Sequence, residues 1–168
     1  MTKQTPLQMW SLHLPKLMVL AGAAPLAIAF YSQLFQGAEP CILCLYQRIP
    51  FAVVIVLGII GVARPQLAPL VGWIGAIVFA AGMSVAFYHV GVEQHWWASA
   101  ASCGGGLPEK MSIADFQSQL AVKPAKACDS IDWTLFGISM ATYNVVYSLA
   151  MAALSFTGAA TLKKEQQT

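Results

Sequence analysis

Glu39–Pro50, EPCILCLYQRIP, sets two cysteines three residues apart and an arginine four residues after the second. The stretch lies at the mouth of an apolar run that continues through Ala63. A thiol pair and a permanent cation at the start of such a run raise the question of what the run is for. Of the 168 residues, 58% are hydrophobic and 10% are charged, where a soluble domain carries about 25% charged residues. Four windows, 17–35, 45–63, 70–90 and 133–157, hold almost no ionisable side chain. About 18 apolar residues are enough for a helix to cross a hydrocarbon layer ~30 Å thick. Buried helices of a soluble bundle would need more polar covering than these windows leave. The sequence therefore predicts an all-α membrane protein, one four-transmembrane-helix bundle over residues 1–168.

The first window begins after Lys16 with LMVLAGAAPLAIAF, which has the form of a signal peptide. Its apolar character goes on to Phe35, longer than such a segment needs, so it is read as an uncleaved first helix kinked at Pro25. Neither end carries a lipidation or retention motif. With four spans, both termini and the 64–69 turn share one side, while loops 36–44 and 91–132 share the other. The first side holds Lys3, Lys16, Arg64, Lys163 and Lys164 against Glu165. The second holds Lys110, Lys123 and Lys126 with Glu39, Glu93, Glu109, Asp115, Asp129 and Asp132. The basic excess predicts cytoplasmic termini. Cys41, Cys44, Cys103 and Cys128 then all fall on the opposite side, as thiols working in an oxidising compartment would.

The 91–132 loop is polar but not featureless. In EQHWWASAASCGGGLP, two tryptophans suit the headgroup level, and Gly104–Gly106 give Cys103 a flexible neighbour. In MSIADFQSQLAV, Ile113, Phe116 and Leu120 share one helical face, with Ser112 as cap and Asp115 three residues on. A short amphipathic helix is expected there, on the membrane surface or over the ends of the spans.

A Cys-x-x-Cys pair serves as a redox dithiol, as half of a zinc site, or as a haem attachment. Haem attachment needs histidine where Leu45 stands, and zinc favours a second close pair, whereas Cys103 and Cys128 are 25 positions apart. A purely structural bridge between Cys41 and Cys44 would close too small a ring to restrain the chain. Redox chemistry is the preferred reading, with no metal and no nucleic-acid partner expected. Cys44 lies near the start of the second span, where unpaired backbone N–H groups favour a thiolate. Arg48, one turn on, adds a charge that persists at the lipid boundary. Pro50 complicates this geometry: a helix beginning there would leave Cys41–Arg48 irregular.

These residues resemble the bacterial disulfide bond formation protein B (DsbB) family. The likeness rests on PCILCLYQR opening the second span and on one cysteine in each half of the second loop. It extends to CDSIDWTLFGISMA leading into the fourth span, and to four spans with both ends inside. The resemblance implies an enzyme of the bacterial inner membrane, a protein dithiol:quinone oxidoreductase with periplasmic cysteines. It would reoxidise a periplasmic thioredoxin-fold partner, DsbA, and pass electrons to ubiquinone or menaquinone. Cys103 would form the mixed disulfide with the partner and Cys128 would be its bonded mate. Cys41 and Cys44 would form the second disulfide, beside the quinone and Arg48. Cys128 could then pair with Cys41 and free Cys44 as a thiolate against the quinone ring. His89 is the candidate for a further quinone contact, with His95 as the alternative.

Other readings remain at this stage. One is a homologue dedicated to a single partner, and another is a scaffold with structural disulfides. A third is a quinone reductase of the vitamin-K-epoxide-reductase type, whose Cys-x-x-Cys comes late in the bundle rather than at the second helix.

Overall fold

The computed structural model describes residues 13–99, 126–131 and 134–167. Four long helices dominate: α1 Leu14–Phe35, α2 Ile42–Ala63, α3 Ala68–Glu93 and α4 Met140–Gln166. Each is long and apolar enough to cross a membrane, and large side chains such as Leu20, Ile59, Ile77 and Leu149 stay exposed around the outside. Apolar outer faces are what a bundle solvated by lipid requires. The fold class is thus a four-helix membrane bundle.

Prolines mark where helices begin. Pro15 and Pro69 sit in the first turns of α1 and α3, where a missing N–H costs nothing. Arg64 ends α2 by donating its N–H to the Ile60 carbonyl, and the 3₁₀ turn Pro65–Leu67 leads directly into α3. The closest helix pairs are α3 with α4, α1 with α2, and α2 with α3. Small residues let these backbones approach. A Cβ on Gly58 would come within 2.7 Å of the Pro15 carbonyl, and one on Gly72 within 2.8 Å of Ala159. Met18, Phe51, Val54 and Phe79 fill the main core between them, and Phe51 meets Phe79 edge-on.

Helices α1 and α3 start at 14 and 68 and α4 ends at 166, against expected bounds of 17, 70 and 157, and three further differences matter for the site. Helix α2 starts at Ile42 and runs unbroken through Pro50, so Cys44 and Arg48 keep regular helical spacing. The Pro50 ring packs where Gly82 of α3 leaves room, at 3.1–3.2 Å from a Cβ built there, and membrane helices accommodate such breaks in the ladder. Helix α3 extends to Glu93, so that residue belongs to the helix and not to the loop. The fourth helix begins at Met140, not 133. Residues Thr134–Leu135 (β1) pair antiparallel with Ile138–Ser139 (β2) as a hairpin. Both residues of its turn, Phe136 and Gly137, have positive φ, 52° and 78°, as a two-residue hairpin favours. An apolar run does not by itself separate strand from helix, and here the turn decides. The expected amphipathic helix over 112–120 and the glycines beside Cys103 lie outside the described residues.

Candidate functional site

The site forms where α2 begins and α3 ends. Cys41 is the N-cap of α2: its backbone is extended and its Sγ accepts the Cys44 N–H at 3.3 Å. The two Sγ atoms lie 2.8 Å apart and both thiols are free. Cys41 is 4% exposed, Cys44 half-buried. Sequence reasoning assigned the helix-end benefit to Cys44; the structure gives it to Cys41, because the capping side chain and not the third helical residue receives the orphan N–H. The Cys44 thiol donates to the Cys41 sulfur and is the main cause that brings Cys41 down from 9.0 to about 4. Burial opposes that shift, while the His89 ring and the Cys44 N–H assist it.

His89, on α3, is 4% exposed, with Nε2 3.6 Å from the Cys41 sulfur and Nδ1 2.6 Å from Gln47 Nε2. Glu93, one turn further, reaches to 3.8 Å from His89 Nε2 and accepts the Ser139 hydroxyl at 2.6 Å. Cys128 is buried in one apolar cluster with Cys41, Leu43 and Val92, and it is disulfide-bonded. Since Cys41 and Cys44 are free, its bond is to neither; Cys103 lies outside the described residues. His95 is exposed in the turn after α3, with a positive φ of 59°.

Below the sulfurs, a cavity of about 420 Å³ opens between the helices. Pro25, Leu26 and Ile28 of α1 and Phe51 of α2 give it apolar walls, while Cys44, Arg48, His89 and Asn144 supply polar groups. Arg48 turns its guanidinium toward α1, donating to Gln33 Oε1 at 2.9 Å and lying over the Phe30 ring at 5.0 Å. Apolar walls with a few convergent polar groups suit an amphipathic, lipid-soluble ligand. A metal fits less well. The donor atoms of Cys41, Cys44 and His89 lie within 4.8 Å of one another. Sulfurs at 2.8 Å are nevertheless closer than the roughly 3.7 Å edge of a zinc tetrahedron with ~2.3 Å bonds.

The family model described as "Disulfide bond formation protein DsbB" matches residues 12–158. The chain belongs to the DsbB family. It is 34% identical over 139 residues to "Disulfide bond formation protein B" of Xanthomonas axonopodis pv. citri, covering 79% of this chain and 81% of that protein. The proteins of the same name from Xylella fastidiosa and Azoarcus sp. are 31% and 32% identical, over 77% and 79% of this chain and 78% and 82% of theirs. Membership makes this a multi-pass membrane protein of disulfide bond formation, an oxidoreductase that forms disulfides.

Within this DsbB-family fold, sequence reasoning singled out Cys41, Cys44, Arg48 and His89, and all four line the cavity. It missed Gln47, Glu93, Ser139 and Asn144. One signal was available: Gln47 and Asn144 are amides inside otherwise apolar spans, and polar groups at membrane depth face the bundle interior. Glu93 also stands four residues after His89, on the same helical face.

Proposed function

We propose that this protein is an inner-membrane dithiol:quinone oxidoreductase that reoxidises a periplasmic DsbA-like thioredoxin-fold protein. The observation that carries the reading is the close thiol pair at the head of an apolar cavity, with disulfide-bonded Cys128 buried in the same cluster. A sulfur relay needs its members in contact, and an apolar cavity between membrane-spanning helices suits an acceptor that dissolves in lipid.

In this reading, the partner's thiolate attacks a Cys103–Cys128 disulfide at Cys103. The partner leaves oxidised, with Cys103 and Cys128 reduced. The Cys128 thiolate then attacks Cys41 of a Cys41–Cys44 disulfide, forming a Cys41–Cys128 bond and releasing Cys44 as a thiolate facing the cavity. Arg48 and His89 would hold the quinone head there, with Pro25, Leu26 and Phe51 along its apolar part. What a quinone supplies when bound is a sink for two electrons and two protons. A DsbA-like partner at roughly −120 mV is itself strongly oxidising, and each ~30 mV of a two-electron couple is about 1.4 kcal/mol. A sink drained from within the membrane answers that demand, and DsbA–DsbB–quinone chains are known to keep bacterial periplasms oxidising.

The test mixes purified protein, a reduced thioredoxin-fold oxidant and ubiquinone or menaquinone, and follows quinone absorbance. Quinone reduction should depend on the partner and vanish in Cys44→Ser, while that variant still inserts and folds. Turnover retained in Cys44→Ser overturns the reading, and loss of folding in that variant favours a structural role. An impermeant thiol reagent should reach the cysteines from the periplasmic side; labelling from the cytosol only would reverse the orientation.

A further inference from the structure

A chain of buried and half-buried hydrogen bonds crosses three helices near the thiol pair. The Ser148 hydroxyl donates to Asn144 Oδ1 at 2.9 Å, and Asn144 Nδ2 donates to Gln47 Oε1. The Gln47 oxygen being engaged, its amide nitrogen faces His89 Nδ1. An amide nitrogen only donates, so Nδ1 accepts, and a neutral imidazole then carries its proton on Nε2. Around Nε2 stand acceptors: the Cys41 sulfur at 3.6 Å and Glu93 Oε1 at 3.8 Å. The Cys128 backbone carbonyl also faces the ring.

We infer that Gln47 and Asn144 are positioning residues for the sulfur relay: they fix the His89 proton on Nε2, where it is offered to Cys41 and holds that sulfur as a thiolate. A sulfur facing an N–H donor gains more as an anion than as a thiol. The purpose of the device rests on the redox reading above. Closing the Cys41–Cys44 dithiol forms one S–S bond and releases two electrons and two protons, the electrons going to the proposed quinone. A standing thiolate at Cys41 has shed one of those protons beforehand. The titratable and charged groups facing the same space are Cys44 and Arg48 of α2, Glu93 of α3, Tyr143 and Tyr147 of α4, and Glu39 and Lys126 from the connecting segments. None of these can replace the amide at Nδ1, where Gln47 is the donor.

The test needs no turnover, so it stands apart from failure of the redox reading. In reduced, full-length protein labelled with ¹⁵N-histidine, NMR should show His89 as the Nε2–H tautomer, its signals identified by their loss in His89→Gln. An Nδ1–H tautomer overturns the inference, and this measurement does not depend on any engineered amide folding. The pH profile of iodoacetamide modification at Cys41, localised by mass spectrometry, supplies the second readout. Gln47→Leu and Asn144→Leu should move its midpoint up by about one pH unit, a tenfold change in thiolate fraction below the midpoint. Gln47→Glu should keep the wild-type midpoint, because a carboxylate draws a second proton to Nδ1 and leaves Nε2–H in place. An unchanged midpoint in folded Gln47→Leu overturns the inference.

Discussion

Two helices of this bundle begin alike and are used differently. Cys41 caps α2 and Ser139 caps α4; each has an extended backbone, and each side chain accepts an N–H three residues on at 3.3 Å. The serine hydroxyl spends its proton on buried Glu93, closing a static contact between α4 and α3. The cysteine sulfur instead receives the Cys44 thiol and faces His89. The same local geometry thus gives structure in one case and a poised anion in the other. What distinguishes them is the atom at the cap and the partners brought to it by neighbouring helices, not the helix start itself.

The largest effect should come from making the two caps chemically identical. Cys41→Ser keeps a capping side chain, so below about pH 4, where the linked stabilisation of the Cys41 thiolate is gone, its stability should stay within about 0.5 kcal/mol of reduced wild type, while partner-dependent quinone reduction at neutral pH should fall to background. Denaturation and turnover measured on one preparation check both halves. Next comes Ser139→Ala, which removes a cap and leaves the Glu93 carboxylate without its hydroxyl donor. A loss of about 1–3 kcal/mol is expected, read as reduced resistance to denaturant in detergent. Turnover should decline less than in Cys41→Ser.

A pH series sharpens the contrast further. Cys41 titrates well below its ordinary value of 9.0, at about 4. The linked stabilisation of the reduced protein is therefore complete above pH 9 and is lost as pH falls through about 4. Reduced wild type should show this slope and Cys41→Ser should lack it; Ser139→Ala should retain it.

Much of this was legible in the sequence because it is carried by local pattern. Apolar runs announce membrane helices, and the spacing of Cys44 and Arg48 is fixed once α2 is continuous. That continuity was not legible, since it depends on Gly82 of another helix making room for Pro50. The start of α4 was misplaced because Leu135, Phe136 and Ile138 read as span until the positive φ of Phe136 and Gly137 folds them into a hairpin. The polar chain escaped for a different reason. Gln47 meets His89 and Asn144 across 42 and 97 positions, and Ser139 meets Glu93 across 46. Each alone resembles an isolated polar residue, and only packing brings them into contact.

At the exit of α3, Gly91 makes room for the Trp97 ring, which stacks on Tyr88 and donates its N–H to the Tyr88 carbonyl at 3.1 Å. The Tyr88 hydroxyl then reaches the Ala98 carbonyl at 3.4 Å. The chain is thus moored at Ala98, five residues past the helix end at Glu93. In sequence, Cys103 stands five positions beyond that mooring against ten beyond the helix end, and a shorter connection raises the local concentration at which two joined groups meet.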